Sequence, residues 1–224
     1  MQEFNKEWAE KFFYNCKKIS VIGNAHNAIE SKIGKIIDSS DIVCRFNGFN
    51  TDGFEEYIGS KTDLYVTNLI YDPSPFIVNK DELKLVLISR PFSIKHYYNV
   101  ALGEMMKNLK CLDGLEIVCI SNEDFETLYK WLDIPLDDKS GKNPSSGLVL
   151  IYLLSKYLED VEFVISGFEF FDGNKNLHYF DEKIVTEELK YYHEPNKEKE
   201  AFLRCLKGKN VFFADETYNT LFNE

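Results

Sequence analysis

A strand–helix–strand pattern over residues 19–47 constrains the fold more than any other feature of this chain. Residues 19–22 form a short apolar run stopped by Gly23 and Asn24, and residues 42–46 form a second, stopped by Asn47. Between them Ile29, Ile33, Ile36 and Ile37 are spaced for one side of a helix. Two strands joined by a crossover helix pair in parallel, so their carboxyl ends share one edge of the sheet. Here that edge is polar and small, and ligands of open parallel sheets bind at it. The stretch therefore reads as a binding site.

The rest of the chain repeats the alternation. Strand-like runs at 63–67, 83–89, 115–120, 161–166 and 210–213 are separated by helical patterns at 96–109, 123–132, 148–158 and 195–206. Ser121 or Asn122 is placed to cap the second of these helices. Phe4, Trp8 and Phe12, with Phe13 beside them, predict an amphipathic helix within residues 1–17, packed on the sheet. Residues 172–176 are expected to turn, with a short helix after residue 180. Residues 133–143 form the longest structureless piece, and 214–224 a tail. With 224 residues there is room for one substantial domain. The expected fold is a single Rossmann-like α/β domain, its mainly parallel sheet covered by helices on both faces.

Charge and cysteines narrow the partners. A net charge of −11, from 37 acidic against 26 basic residues, disfavours a nucleic-acid partner. The five cysteines lack metal-ligand spacing, and Cys44, Cys119 and Cys205 sit in apolar patterns as small core residues. An odd count without a framework points to a reducing compartment. Residues 1–10 are polar and acidic, unlike a signal peptide, and no apolar run approaches the ~20 residues of a membrane span. The expectation is a cytoplasmic protein, with peripheral contact at the inner membrane face open to the first helix.

Four constellations carry chemistry. Gly23 lets the backbone turn and approach a ligand, and Asn24 offers donors and an acceptor; an Asx-turn capping the loop is the alternative. Pro144-Ser145-Ser146-Gly147 opens an apolar helix, where hydroxyls and main-chain N–H groups make an anion site or, more simply, an N-cap. His178 stands beside Tyr179 and Phe180, a setting in which a structural histidine is common. His193 precedes Pro195 and is followed five residues later by Glu198. A histidine just outside a helix N-terminus is disfavoured in its protonated form, which suits a general base. No Asp-x-Asp pair is present to hold a divalent cation on a phosphate.

Taken together these stretches resemble the animal-type sialyltransferases. Residues 21–24 (VIGN), 37–47 (IDSSDIVCRFN) and 59–62 (GSKT) are similar to the large sialyl motif. PSSG at 144–147, with the strand ending at Ser166-Gly167-Phe168, is similar to the small motif. His178-Tyr179-Phe180-Asp181 resembles the third motif, His-Tyr-Tyr-Glu, and His193 with Glu198 the very small motif, His-x4-Glu. The resemblance spans residues 19–206, although 70–136 shares only the strand–helix alternation.

The resemblance implies a GT-A-like sialyltransferase fold and transfer of sialic acid from its cytidine monophosphate (CMP) ester to an acceptor sugar, with inversion and without a metal or other cofactor. It places Gly23, Asn24, Asn47, Ser145, Ser146, Gly147 and Gly167 on the nucleotide and His178 on the leaving phosphate. His193 is implied as the base, with Glu198 holding a helix start or orienting the imidazole. The implied partners are a CMP-activated donor and a glycan or glycolipid acceptor; residues 68–76 and 133–143, which the family pattern does not constrain, are expected to meet the acceptor. Ser146 replaces the usual threonine, and Phe180 and Asp181 depart from the third motif. The family's disulfide cysteines are missing from their places, as are anchor and stem, which suggests a bacterial-type relative. Another CMP-activated acid such as 3-deoxy-manno-octulosonic acid, or a CMP-binding module without transfer, remain the alternatives.

Overall fold

The computed structural model describes residues 2–77, 81–91, 98–136, 141–170, 177–181 and 192–214, with the backbone alone at 98–102. The turn expected at 172–176, the short helix after residue 180, the middle of the 133–143 loop and nearly all of the tail lie outside them.

Eight strands form one sheet: β1 (Gln2–Glu3), β2 (Lys18–Ile22), β3 (Ile42–Phe46), β4 (Leu64–Thr67), β5 (Leu85–Ile88), β6 (Ile117–Cys119), β7 (Glu162–Ser166) and β8 (Asn210–Phe213). Their order is β1-β6-β5-β4-β3-β2-β7-β8, and all seven pairings are parallel. Val21 is in register with Cys44 of β3 on one side and Ile165 of β7 on the other. Strands alternate their side chains between faces, and both faces are apolar. Ile19, Val21, Cys44, Leu64, Val66, Leu85, Leu87, Phe163 and Ile165 lie in one large core. Helices α1 (Lys6–Phe12), α5 (Asn122–Trp131), α6 (Ser146–Tyr157) and α7 (Pro195–Leu206) contribute to the same core. The opposite face is covered by α2 (Gly34–Asp38), α3 (Glu55–Ile58) and α4 (Tyr98–Lys110) in two smaller clusters. This is the expected parallel sheet with helices on both faces.

Two local features differ from the sequence reading. The isoleucines at 29–37 do not share one helix: a 3₁₀ turn, His26–Ile29, is followed by a break and then by the five-residue α2. Ile36 consequently faces solvent. Tertiary contacts override the periodicity. The Ser31 hydroxyl donates to Ala214 O at 3.0 Å, and a Cβ at Gly34 would lie 1.9 Å from Glu55 O, so the backbone is drawn against α3 there. The second difference is β1, an edge strand that local pattern does not reveal. It extends β6, and Phe4 N–H donates to Cys119 O at 2.8 Å immediately after it. Phe4 and Trp8, with ring centroids 4.9 Å apart, then anchor α1 on the sheet as expected.

The five cysteines form no disulfide, and Cys44, Cys119 and Cys205 are buried. Among the described residues no helix is long and apolar enough to cross a membrane. The strand order positions the site. Chain progression runs outward from β2 through β3, β4, β5 and β6, then returns to β7 on the other side of β2. A crevice opens at the carboxyl ends where such an order reverses, here between β2 and β7.

Candidate active site

At that reversal the two strand ends touch through glycines. A Cβ on Gly23 would lie 2.1 Å from Gly167 O, and one on Gly167 would lie 2.3 Å from Gly23 O. Gly167 also adopts φ +79°, where side chains are strained. Gly23 N–H donates to Ser166 O and Ala25 N–H to Gly167 O, which closes the floor of the crevice with main chain alone.

Asn24 spans from this floor to β3. Its Nδ2 donates to Phe46 O at 3.0 Å and to Gly48 O at 2.7 Å. Both neighbours are carbonyl oxygens, so the amide orientation is dictated by chemistry, and among the described residues Oδ1 has no partner. The asparagine thus locks two strand ends rather than forming a local Asx-turn. Asn47, between those two carbonyls, takes φ +44°; its Oδ1 accepts from Asn68 N–H at 3.3 Å. Among the described residues its Nδ2 protons have no partner. The two asparagines therefore present opposite groups, an acceptor at Asn24 and a donor at Asn47.

The third-motif segment is bonded to the same cluster. Tyr179 N–H donates to Asn24 O at 2.9 Å, and its hydroxyl donates to Asn50 O at 2.6 Å. Burial pushes the Tyr179 phenol above its usual range, so it stays protonated and keeps that bond. Next to it, His178 Nδ1 lies 2.9 Å from Asp181 Oδ2, with the imidazole stacked on Phe180 at 4.9 Å. A carboxylate only accepts, so Nδ1 carries hydrogen, and a second proton on Nε2 would make His178 an anion-facing donor.

The start of α6 forms the opposite wall. Ser145 is its N-cap, with Oγ accepting from Leu148 N–H at 3.3 Å, and its own hydroxyl proton is still to be given. Ser146 behaves differently. Its hydroxyl is buried 2.8 Å from Ser89 Oγ, which in turn lies 3.3 Å from Thr67 O. That side chain ties α6 to β5 and β4, so what Ser146 offers the crevice is its N–H, beside that of Gly147. A Cβ on Gly147 would meet Phe168 Cε1 at 2.6 Å. The Phe168 ring also packs edge-on to Phe46 at 6.0 Å and lies near Gly23, so it joins the strand-end wall to the helix wall.

His193 sits where the 141–145 and 192–198 segments are fastened together. Asn143 N–H donates to Tyr192 O at 3.0 Å, and Lys142 pairs with Glu194. His193 Nδ1 lies 3.0 Å from Asn143 O and 3.3 Å from Glu198 Oε1. Both are acceptors, so Nδ1 holds the hydrogen and the neutral ring carries its lone pair on Nε2. Glu198 is buried in the first turns of α7, with Pro195 at the helix start. Its Oε1 also accepts from Ser145 N–H at 2.9 Å.

These residues occupy one edge of the sheet in the order of the four motifs, and the family model for glycosyltransferase family 29 (sialyltransferase) matches residues 1–210. The chain belongs to the sialyltransferase family. It is 26% identical over 210 residues to the mouse CMP-N-acetylneuraminate-beta-galactosamide-alpha-2,3-sialyltransferase 4, a match covering 85% of this chain and 62% of that protein. It is 38% identical over 79 residues to the pig alpha-2,3-sialyltransferase 1, a match covering 35% of this chain and 22% of that protein. The fold is shared with a crystal structure of a mammalian sialyltransferase (TM-score 0.59, 20% identity, covering 91% of this chain and 71% of the other). It is shared also with the sialyltransferase CST-II in complex with trisaccharide acceptor and CMP (TM-score 0.52, 18% identity, covering 88% and 81%).

Sequence reasoning about the sialyltransferase motifs missed three contributors. Ser89 and Asn143 reach the site only through residues 57 and 50 positions away, to which no local spacing points. The third, Arg45, lies inside the large motif yet is buried. Its guanidinium donates to Lys61 O, Thr62 Oγ1, Ile58 O and Gly59 O, bracing the GSKT turn. Burial pushes it down to about 10, still charged at neutral pH. Its position at the end of an otherwise apolar run is the signal that could have found it.

Proposed function

We propose that this chain transfers sialic acid, or a related CMP-activated acid, from its CMP ester to a sugar hydroxyl. The observation that carries this reading is the lock on His193: two acceptors hold Nδ1–H and leave the lone pair on Nε2, beside a helix start suited to a phosphate. His193 Nε2 takes the proton of the acceptor hydroxyl. The oxygen attacks the anomeric carbon as the bond from that carbon to the phosphate oxygen breaks, so configuration inverts and the electron pair leaves with CMP. The leaving phosphate is met by the Ser145 hydroxyl, the Ser146 and Gly147 N–H groups and His178, which transfers or shares its proton. Asn24 Oδ1 accepts from a hydroxyl or amino group of the nucleotide, and Asn47 Nδ2 donates to its phosphate side. Gly23 and Gly167 let the nucleotide lie on bare main chain.

Metal independence is part of the proposal. One phosphate leaves rather than two, donors for it stand at the α6 start, and among the described residues no three His, Cys, Asp or Glu side chains converge on a metal position. A cytoplasmic setting is also proposed, supported by partly exposed thiols at Cys16 and Cys111 that an oxidising compartment would put at risk. Asn68 and the segment after it, adjoining Asn47, are proposed to meet the glycan or glycolipid acceptor.

The donor assignment is tested by thermal shift. CMP at a hundredfold excess over its Kd stabilises the protein by about 2.7 kcal/mol, and UMP, AMP and UDP do so less. Stronger stabilisation by any of those three rejects the CMP donor. A CMP-binding module without transfer would pass this test, but it has no use for an imidazole held in one tautomer.

A further inference from the structure

The nearer acceptor on His193 Nδ1 is a main-chain oxygen, that of Asn143 at 3.0 Å. No substitution removes that oxygen, so its place depends on what holds Asn143. The next residue is Pro144, which has no N–H to fasten the chain there. The buried Asn143 side chain does the fastening. Its Nδ2 donates to Gly141 O, which fixes the amide and turns Oδ1 to the Tyr129 hydroxyl at 3.1 Å. The same hydroxyl lies 3.2 Å from Lys142 O. Tyr129 is itself buried in α5, within the large core, its ring centroid 5.1 Å from that of Phe125. Resting on the transfer reaction proposed above, we propose that Tyr129 is a positioning residue: from a helix that carries none of the four motifs, it anchors through Asn143 the carbonyl that orients the base.

A base needs an orientation as well as a lone pair. An imidazole turns about its bond to Cβ, and a bond from Nδ1–H to a fixed oxygen holds Nε2 in one direction. A base displaced from the proton it must take loses much of its advantage. Three ties bear on the Asn143 carbonyl. The Lys142–Glu194 ion pair has both side chains nearly a third exposed, so water screens it and it fixes little. The bond from Asn143 N–H to Tyr192 O, 3.0 Å, joins two loop segments that can shift together. The Tyr129 hydroxyl reaches the same segment from a helix packed in the core, so it sets the loop against the fold. The nucleotide wall at Gly23, Asn24, Asn47 and Gly167 takes no part in this chain of contacts. Loss of the hydroxyl should therefore be felt in the rate rather than in CMP binding.

Tyr129→Phe tests the anchor, since it removes the hydroxyl and keeps the ring. With CMP-sialic acid as donor, kcat falls roughly 3–10-fold, the worth of one neutral hydrogen bond expressed in the rate. Kd for CMP stays within about twofold. The deciding readout is a double-mutant cycle in kcat. On a His193→Ala background Tyr129→Phe costs nothing further, because its effect passes through the imidazole, and the same holds on Asn143→Ala. A merely structural role would repeat the full loss on both backgrounds, and that result overturns the proposal. So does a kcat in Tyr129→Phe equal to the parent's, or a loss of rate matched by a loss of CMP affinity. If the double variants do not fold, NMR of the His193 Nδ1–H proton in Tyr129→Phe alone decides: faster exchange with water than in the parent supports the anchor, and an unchanged signal ends it. His193→Ala by itself keeps the two levels apart. If it retains parental turnover, the base assignment fails; if it is slow and Tyr129→Phe slows it again by the same factor, only the anchoring role fails.

Discussion

The two walls of the crevice are made of different materials. The strand-end wall, with Gly23, Asn24, Asn47 and Gly167, works through main chain and amides, groups that do not titrate. The helix-start wall, with Ser145, His193 and Glu198, places an imidazole and a buried carboxylate beside a helix N-terminus. The first is suited to hold a nucleotide by shape, and the second to move a proton. His178 stands between these roles, titratable yet carried on a segment bonded to Asn24 through Tyr179. We thus propose that the strand-end wall holds most of the nucleotide while the helix-start wall meets its phosphate and carries the base; the Phe168 ring joins the two.

The comparison breaks most visibly at the glycines. Gly23→Ala and Gly167→Ala each drive a methyl into opposing main chain that cannot rotate away, and Gly167 adds backbone strain. Each is expected to cost about 3 kcal/mol or more, a fall in Tm of roughly 6–12 °C for a domain of this size. Calorimetry that finds either variant as stable as the parent shows that the floor is not built as described. A smaller effect sharpens the split between the asparagines. Asn24→Ala strands two carbonyls and should lower stability by about 1–3 kcal/mol while also weakening CMP. Asn47→Gly, which tolerates the φ of +44° at this position, should weaken CMP by roughly 1.5–3 kcal/mol with a smaller fall in Tm than Asn24→Ala, because only the Asn68 N–H bond is lost from the fold. Equal behaviour of the two variants in paired thermal and binding titrations removes the distinction.

These asparagines also show what was legible beforehand. The motif residues at 23–24, 47, 145–147, 167 and 193 sit at or beside a strand or helix terminus, where glycine, serine and proline punctuate the apolar runs, so those candidates and the parallel sheet could be read from local pattern. Partnerships were not legible. Ser146 looks like Ser145 in the sequence, yet its hydroxyl is turned toward Ser89 and the fold. Glu198 holds the start of α6, a helix that begins 53 residues before its own contact, and β1 pairs with a strand 116 residues away. Such pairings are set by topology, as is the break before Gly34 that defeats the isoleucine period.

The serines provide the next, smaller test. Ser145→Ala removes a cap and a phosphate donor, costing about 1 kcal/mol of stability and weakening CMP. Ser146→Ala leaves the Ser89 hydroxyl with Thr67 O alone, removing the tie from α6, and should lower Tm while CMP affinity holds. A larger loss of CMP affinity from Ser146→Ala than from Ser145→Ala contradicts their assignment. The smallest expected effect is none: turnover in excess EDTA should match turnover in magnesium or manganese. Loss with EDTA and recovery with either metal means that the leaving phosphate is handled in another way.

The division of labour is tested most directly by His193→Ala, assayed for sialylated product and released CMP with CMP-sialic acid and a panel of acceptor sugars, alongside a CMP binding titration. The wild-type chain should transfer. The variant should lose about 10²–10⁴ in kcat, keep its affinity for CMP and lose the acidic limb of the rate profile, whereas His178→Ala should lose both rate and CMP affinity. Near-normal turnover by His193→Ala with an unchanged Tm, or a wild-type chain that binds CMP but never transfers the sugar, would contradict it.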